Sequence, residues 1–210
     1  SSPWIEGLRS VALYVPDLAK AEDFYTRTWH LEAAHRHDDV LYLRGTGNDA
    51  YLLALHRGSG DAPQIRQVSL RARSREALEA IQAAVPTAGG RMLAEVHALT
   101  RNPAGGVGLK FQDPHGRVFQ VVHGDERRAE GPAVKDRPIR LTHVVLNSHA
   151  VDETQAFLQQ ALGFRLADRT GIMAFMNCDG DHHTIAIGIS DNDALNHIAF
   201  LMPDFESVMR

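Results

Sequence analysis

One order of elements recurs along this chain, and a repeat of that size constrains the architecture before any single residue does. Leu8 to Tyr14 has strand composition. Pro16-Asp17 stops that strand and can start a helix, whose apolar face is Leu18, Ala21, Phe24 and Tyr25. Short apolar runs follow at Val40 to Leu43 and Tyr51 to Leu55, across the turn-rich Gly45-Thr46-Gly47-Asn48-Asp49. The order then returns. Gln67 to Ala72 alternates like a strand, Ser74 suits an N-cap, and Leu78, Ile81 and Val85 make a helix stripe that ends near Pro86 and Gly89-Gly90. Val107, Leu109 and Phe111 alternate up to the turn Asp113-Pro114-His115-Gly116, and Val118 to Val122 returns.

A charged segment bearing Pro and Gly, Gly124 to Pro138, has the character of a linker. Beyond it the order restarts with the strand Leu141 to Asn147. Asp152 and Gln155 have capping-box spacing, Phe157, Leu158, Ala161 and Leu162 form the stripe, and Gly163 suits the stop. Strands Ile172 to Met176 and His183 to Ile187 flank the turn Asn177-Cys178-Asp179-Gly180. A fourth copy begins at Leu195 to Leu201, where Pro203-Asp204-Phe205 echoes Pro16-Asp17-Leu18. The expectation is an α+β fold of βαβββ modules, three complete and one begun, paired into curved mixed sheets. The division this implies is an N-terminal domain over 1–123, a linker over 124–138 and a C-terminal domain over 139–210.

Composition mainly excludes. A formal charge of -4 and a pI near 6.3 leave no footprint for nucleic acid. No apolar run reaches the length of a membrane span, and the N-terminus lacks a signal-peptide pattern. One cysteine, Cys178, forms no intrachain disulfide and suits a reducing cytoplasm; its place in a turn reads as incidental. Of the 12 histidines, His30, His35, His37, His56, His97 and His115 lie in polar or turn contexts that suit solvated side chains.

Three others do not. His143 in Leu-Thr-His-Val-Val-Leu, His183 in Asp-His-His-Thr-Ile-Ala-Ile and His197 in Leu-Asn-His-Ile-Ala-Phe each sit in an apolar, strand-like run. An imidazole buried there without a partner costs about 1–3 kcal/mol, and a metal is one partner that removes the cost.

These motifs, within the repeat, resemble the vicinal oxygen chelate superfamily, with its glyoxalase/bleomycin resistance/dihydroxybiphenyl dioxygenase-like fold. More narrowly, the chain looks like the two-domain type I extradiol ring-cleaving dioxygenases of catechol 2,3-dioxygenase type. The resemblance implies O2-dependent cleavage of a catechol-like aromatic diol at mononuclear Fe(II) or Mn(II), held by two His and one Glu. It carries the two His ligands onto His143 and His197, and an acid-base role onto His183. Strand alternation lets only one of His182 and His183 enter the cup, and the resemblance selects His183. Phe175 matches a pocket-lining aromatic and equally suits a core position. The resemblance also implies assembly of identical subunits.

Superposing the modules puts Ser10, Gln67 and Gln120 at the three ligand places of the N-terminal half, a poor set for divalent iron. The same offset puts the expected Glu at roughly position 250, beyond Arg210. The chain as given is therefore expected to leave a sheet edge exposed and to hold metal weakly or not at all. Two further readings stay open: another activity on the same fold, glyoxalase-like isomerisation or hydroquinone-type dioxygenation, and a metal-free small-molecule binding or resistance protein.

Overall fold

Each of the three complete modules is a strand, a helix and three more strands. In the computed structural model, which describes residues 2–209, the first runs β1 (Ile5–Val15), α1 (Leu18–Asp23), β2 (Glu32–His37), β3 (Val40–Arg44) and β4 (Leu53–Arg57). The second comprises β5 (Gln64–Ala72), α2 (Arg75–Thr87), β6 (Arg91–Ala98), β7 (Val107–Gln112) and β8 (Val118–His123). The third comprises β9 (Arg140–Ser148), α3 (Val151–Leu162), β10 (Arg165–Arg169), β11 (Met173–Asn177) and β12 (Ile185–Ile189), and β13 (Leu195–Leu201) with α4 (Phe205–Val208) opens the next. Ser1 and Arg210, the outer limits of the expected domains, lie outside the described residues.

The α+β class and the module pairing hold. An eight-stranded sheet runs β2-β3-β4-β1-β5-β8-β7-β6, and a five-stranded one runs β10-β11-β12-β9-β13. Within every module the opening strand lies parallel to the closing one, β1 to β4, β5 to β8 and β9 to β12. Adjacent modules join through antiparallel opening strands, β1 to β5 and β9 to β13. This shared register fixes which residues correspond. Val11 faces Leu53 and Val68, and Val144 faces Ile185 and Ile198. Ser10 therefore matches His143, and Gln67 matches His197.

Local signals set the helix ends. Asp17, Ser74 and Asp204 side chains accept the backbone N–H groups of Lys20, Ala77 and Ser207 at 3.0, 3.1 and 2.7 Å. Gly163 ends α3 at φ 64°, the left-handed conformation glycine adopts at least cost. The expected capping box of α3 is not formed. Its N-cap is Ala150, and Asp152 and Gln155 accept instead from Arg169 of β10, at 2.6 and 2.5 Å. A charged guanidinium outcompetes the helix's own N–H groups for both acceptors. After α1 a π-helical turn, Phe24–Thr28, leaves Trp29 against Phe200 of β13, ring centroids 5.4 Å apart.

The core is continuous across the two sheets. Phe111 stacks on Phe119 at 5.6 Å and meets Phe157 of α3 at 5.9 Å, and all three rings are buried. Gly90 permits that approach, because a Cβ there would stand 2.7 Å from the Phe157 ring and 2.8 Å from the Gln112 carbonyl oxygen. Arg117, its side chain only 5% exposed, crosses between the halves, donating to Asp113, to the Asn147 carbonyl and to Asp193. Among the described residues, no helix is long and apolar enough to cross a membrane.

Candidate metal centre

The site is built on the open face of the five-stranded sheet, where β9 lies between β12 and β13. Along β9, Val144 and Leu146 join the core, so alternation turns His143 to the opposite face. β13 runs beside it and brings the His197 ring to 5.6 Å from that of His143, interplanar angle 76°. The turn before β12 brings the His183 ring to 4.3 Å from His143. Three imidazoles distant in sequence thus converge on one face. Two rings sharing one ion lie about 4.5–6 Å apart, centroid to centroid, given imidazole–metal bonds of about 2.0–2.1 Å.

Neighbouring groups fix which nitrogen of each ring is free. The Thr142 hydroxyl spends its only proton on the Ala199 carbonyl at 3.2 Å, so toward His143 Nδ1, 3.3 Å away, it can only accept. His143 therefore carries its proton on Nδ1 and presents the Nε2 lone pair. For His197 the reasoning starts from a backbone donor. The Ala194 N–H donates to Asn192 Oδ1 at 3.1 Å, which orients that amide. Asn147 Nδ2 then donates to Asn192 Oδ1, and Asn196 Nδ2 to Asn147 Oδ1, both at 3.0 Å. Asn196 Oδ1 is left to accept the His197 Nδ1–H at 2.9 Å. Both rings thus sit in the tautomer whose Nε2 can take a metal, with the other nitrogen held as such ligands require.

The electrostatics favour a neutral ring at His143 and at His183. Burial, then the neighbouring His183 and His197, pushes the His143 pKa down to about 4, partly offset by Asp181. His183 is also lowered, by burial first and then by His182, again against Asp181. Arg140 holds that carboxylate at 2.9 Å. Among the described residues, no group of three or more His, Cys, Asp or Glu side chains is placed to hold a metal ion. His143 and His197 fit two donor positions in type and spacing, and a carboxylate beside them is the donor that residues 2–209 do not place there.

Two expectations need correction. β12 begins at Ile185, so His182 and His183 lie in the turn before it and strand alternation does not separate them. Their Nδ1 atoms are 3.0 Å apart, and both rings flank Phe175, at 5.7 and 5.2 Å. Phe175 itself is half-buried at the site, while Ala174 and Met176 on either side are in the core. Nor are His56 and His115 solvated. The His115 side chain is only 10% exposed, and burial, with Arg66 and Lys110, lowers the pKa of His56 to about 4. Cys178 is buried, its thiol pushed up to about 12 by burial, with Sγ 3.2 Å from the Thr184 hydroxyl.

Sequence reasoning missed Asn147, Asn192 and Asn196. A register shift between Leu195 and His197 breaks the alternation, so the neighbours Asn196 and His197 can meet. The adjacent Asn-His pair is the only trace of this in the sequence.

In the first half the same three places hold Ser10, Gln67 and Gln120. Gln67 Nε2 donates to Gln120 Oε1 at 3.1 Å, so these side chains meet as ligands would, without the imidazole and carboxylate donors that suit divalent iron.

Comparison with known proteins bears on the family and the fold. The family model described as Glyoxalase/Bleomycin resistance protein/Dioxygenase superfamily matches residues 7–121 and 140–210. Metapyrocatechase 2 of Cupriavidus necator is 31% identical over 124 residues, 48% of this chain and 39% of that protein. The Mn(II)-bound glyoxalase from Novosphingobium aromaticivorans superposes with a TM-score of 0.92 at 28% identity, over 98% of this chain and 68% of that one. Homoprotocatechuate 2,3-dioxygenase from Arthrobacter globiformis gives 0.87 at 20% identity, over 99% of this chain and 67% of that one, a likeness of fold. The matched stretch is thus about two fifths of the curated relative's length.

Proposed function

The chain belongs to the Glyoxalase/Bleomycin resistance protein/Dioxygenase superfamily, and on that footing we propose that it serves O2-dependent, extradiol ring cleavage of a catechol-type aromatic diol at divalent iron or manganese. One observation carries this reading: two imidazoles, each with Nδ1 engaged by a neighbouring oxygen, face one another at a separation suited to one shared ion. The naming of relatives as a metapyrocatechase and a homoprotocatechuate 2,3-dioxygenase supports the choice of chemistry.

His143 and His197 would hold the ion through Nε2. A Glu at the place that Gln120 occupies on β8, in a fourth module, would complete a set of two His and one carboxylate. Such an ion supplies a Lewis acid with open positions that brings vicinal diol oxygens and O2 together. The chain's own part is orientation and proton handling. Thr142 and Asn196 keep the two rings in the ligand tautomer. His183, neutral at pH 7 because its pKa is lowered, can take a proton from a diol hydroxyl and return it as the ring opens. Its Nδ1 lies 3.0 Å from His182 Nδ1, and as the donor in that pair His183 keeps the Nε2 lone pair for the substrate. Phe175, edge-on to His183 at 5.2 Å, gives an aromatic ring an apolar wall and keeps water from one side. The carbon–carbon bond beside the two hydroxyls breaks, and both atoms of O2 end in a muconic semialdehyde-type product.

A second reading, glyoxalase-like isomerisation without O2, is favoured by the likeness to the Mn(II)-bound glyoxalase over 98% of the chain. Oxygen consumption separates the two. The natural protein, reconstituted anaerobically with Fe(II), should consume O2 when catechols are added. His183→Ala should keep its iron and lose about 10²–10⁴-fold in turnover. Undiminished turnover would remove His183 from the mechanism, and isomerase activity without O2 uptake would replace the dioxygenase reading.

A further inference from the structure

The first half keeps a cup of its own. A cavity of about 390 Å³ opens on the eight-stranded sheet, within the range of sites for small molecules. Its lining includes the cations Arg66, Arg101 and Lys110 and the imidazoles of His56 and His97, and no Asp or Glu. That imbalance is local. Close by, this half gives its buried guanidinium groups carboxylate partners: Arg9 with Asp125 at 3.0 Å, and Arg71 with Asp125 and Asp49 at 2.8 and 2.9 Å.

Among the described residues, Arg66 has only a neutral partner, the Tyr14 hydroxyl at 3.0 Å. Lys110 is half-buried, and its pKa is lowered by that burial and by Arg66, with no carboxylate offsetting either. Burial first, and then the same two cations, lower His56 beside them. Two like charges held together in a partly dry concavity raise the local potential and select an anion. The rest of the lining suits an aromatic body. Tyr42 and Tyr51 meet edge to face at 4.8 Å, next to Ala12 and Ala54. Arg9, over Tyr51 at 4.0 Å, holds that ring from behind.

We propose that this first cup binds a small aromatic carboxylate, its charge held between Lys110 and Arg66 and its ring seated against Tyr42 and Tyr51. The site is separate from the histidine centre and does not depend on the activity assigned to it. It gives the half without metal ligands a binding role.

The test is NMR titration of the natural protein with benzoate and with benzamide, its neutral isostere, following the His56, Tyr42 and Tyr51 ring signals. Benzoate should shift these signals saturably, with an affinity that falls as salt is raised, and benzamide should bind at least about tenfold more weakly. Lys110→Gln and Arg66→Gln should each cost about tenfold or more. Lys110→Arg, which keeps the charge, should retain binding, and His143→Ala should bind benzoate as the parent does. Equal binding of benzamide, indifference to Lys110→Gln and Arg66→Gln, loss of binding in His143→Ala, or no saturable shift would each overturn the assignment. Unchanged amide spectra of the free variants confirm that they are folded.

Discussion

The two cups share one topology and one strand register, yet their polar contents are opposed. Where β9 and β13 place His143 and His197, β1 and β5 place Ser10 and Gln67. Before those positions stand Thr142 in one half and Arg9 in the other. Thr142 sets the tautomer of His143, whereas Arg9 turns inward to Asp125 and packs on Tyr51. The second cup collects imidazoles, and the first collects cations with no carboxylate in its lining. The fold supplies two concave surfaces, and what each can bind is decided by a handful of side chains on them.

The comparison can be broken most severely beneath the first cup. Arg71→Ala removes the ion-pair partner of Asp49 and one of the two partners of Asp125, whose carboxylates are 8% and 2% exposed. Asp125 depends on Arg71 and Arg9 to keep its pKa near 2 against burial. Leaving Asp49 uncompensated, and Asp125 with Arg9 alone, should cost about 3–5 kcal/mol in urea unfolding. The second cup has the half-buried pair Arg140–Asp181 instead. A smaller change sharpens the contrast from the other side. Asn196→Ala frees His197 Nδ1 and should weaken metal binding by about 10–100-fold, read by Mn(II) titration. The stability of the chain should change little, because Asn196 is exposed.

The smallest effect is one of pH. His56 has its pKa lowered to about 4 in the folded chain, against about 6.5 unfolded. Between these values the unfolded chain binds more protons, so stability is full above about pH 6.5 and falls as pH drops toward 4. His56→Gln should flatten that part of the urea-midpoint profile; an unchanged slope would show that His56 is not responsible.

Much of this was legible from sequence because modules repeat. The strand and helix order, the caps at Ser74 and Gly163, and the correspondence of Ser10 with His143 all follow from periodicity and local turn chemistry. What was illegible depends on contacts made across the fold. Asp152 and Gln155 have capping-box spacing, but Arg169 arrives from another strand and takes both. His56 lies in an ordinary polar context, and only the packing of β4, β5 and β7 sets it beside Arg66 and Lys110. The amide chain to His197 needs a break in strand register that no residue pattern announces. The continuous core is likewise unannounced by the charged segment between the halves.

The central claim is that the second cup, through His143 and His197, is the metal-binding one. Paramagnetic broadening by substoichiometric Mn(II) tests it directly, since every imidazole in the protein reports its own distance from the ion. The account predicts early loss of the His143, His183 and His197 ring signals while those of His56 and His97 stay sharp, with the pattern abolished in His143→Ala. Broadening centred on His56 and His97, or broadening that survives His143→Ala unchanged, would contradict it.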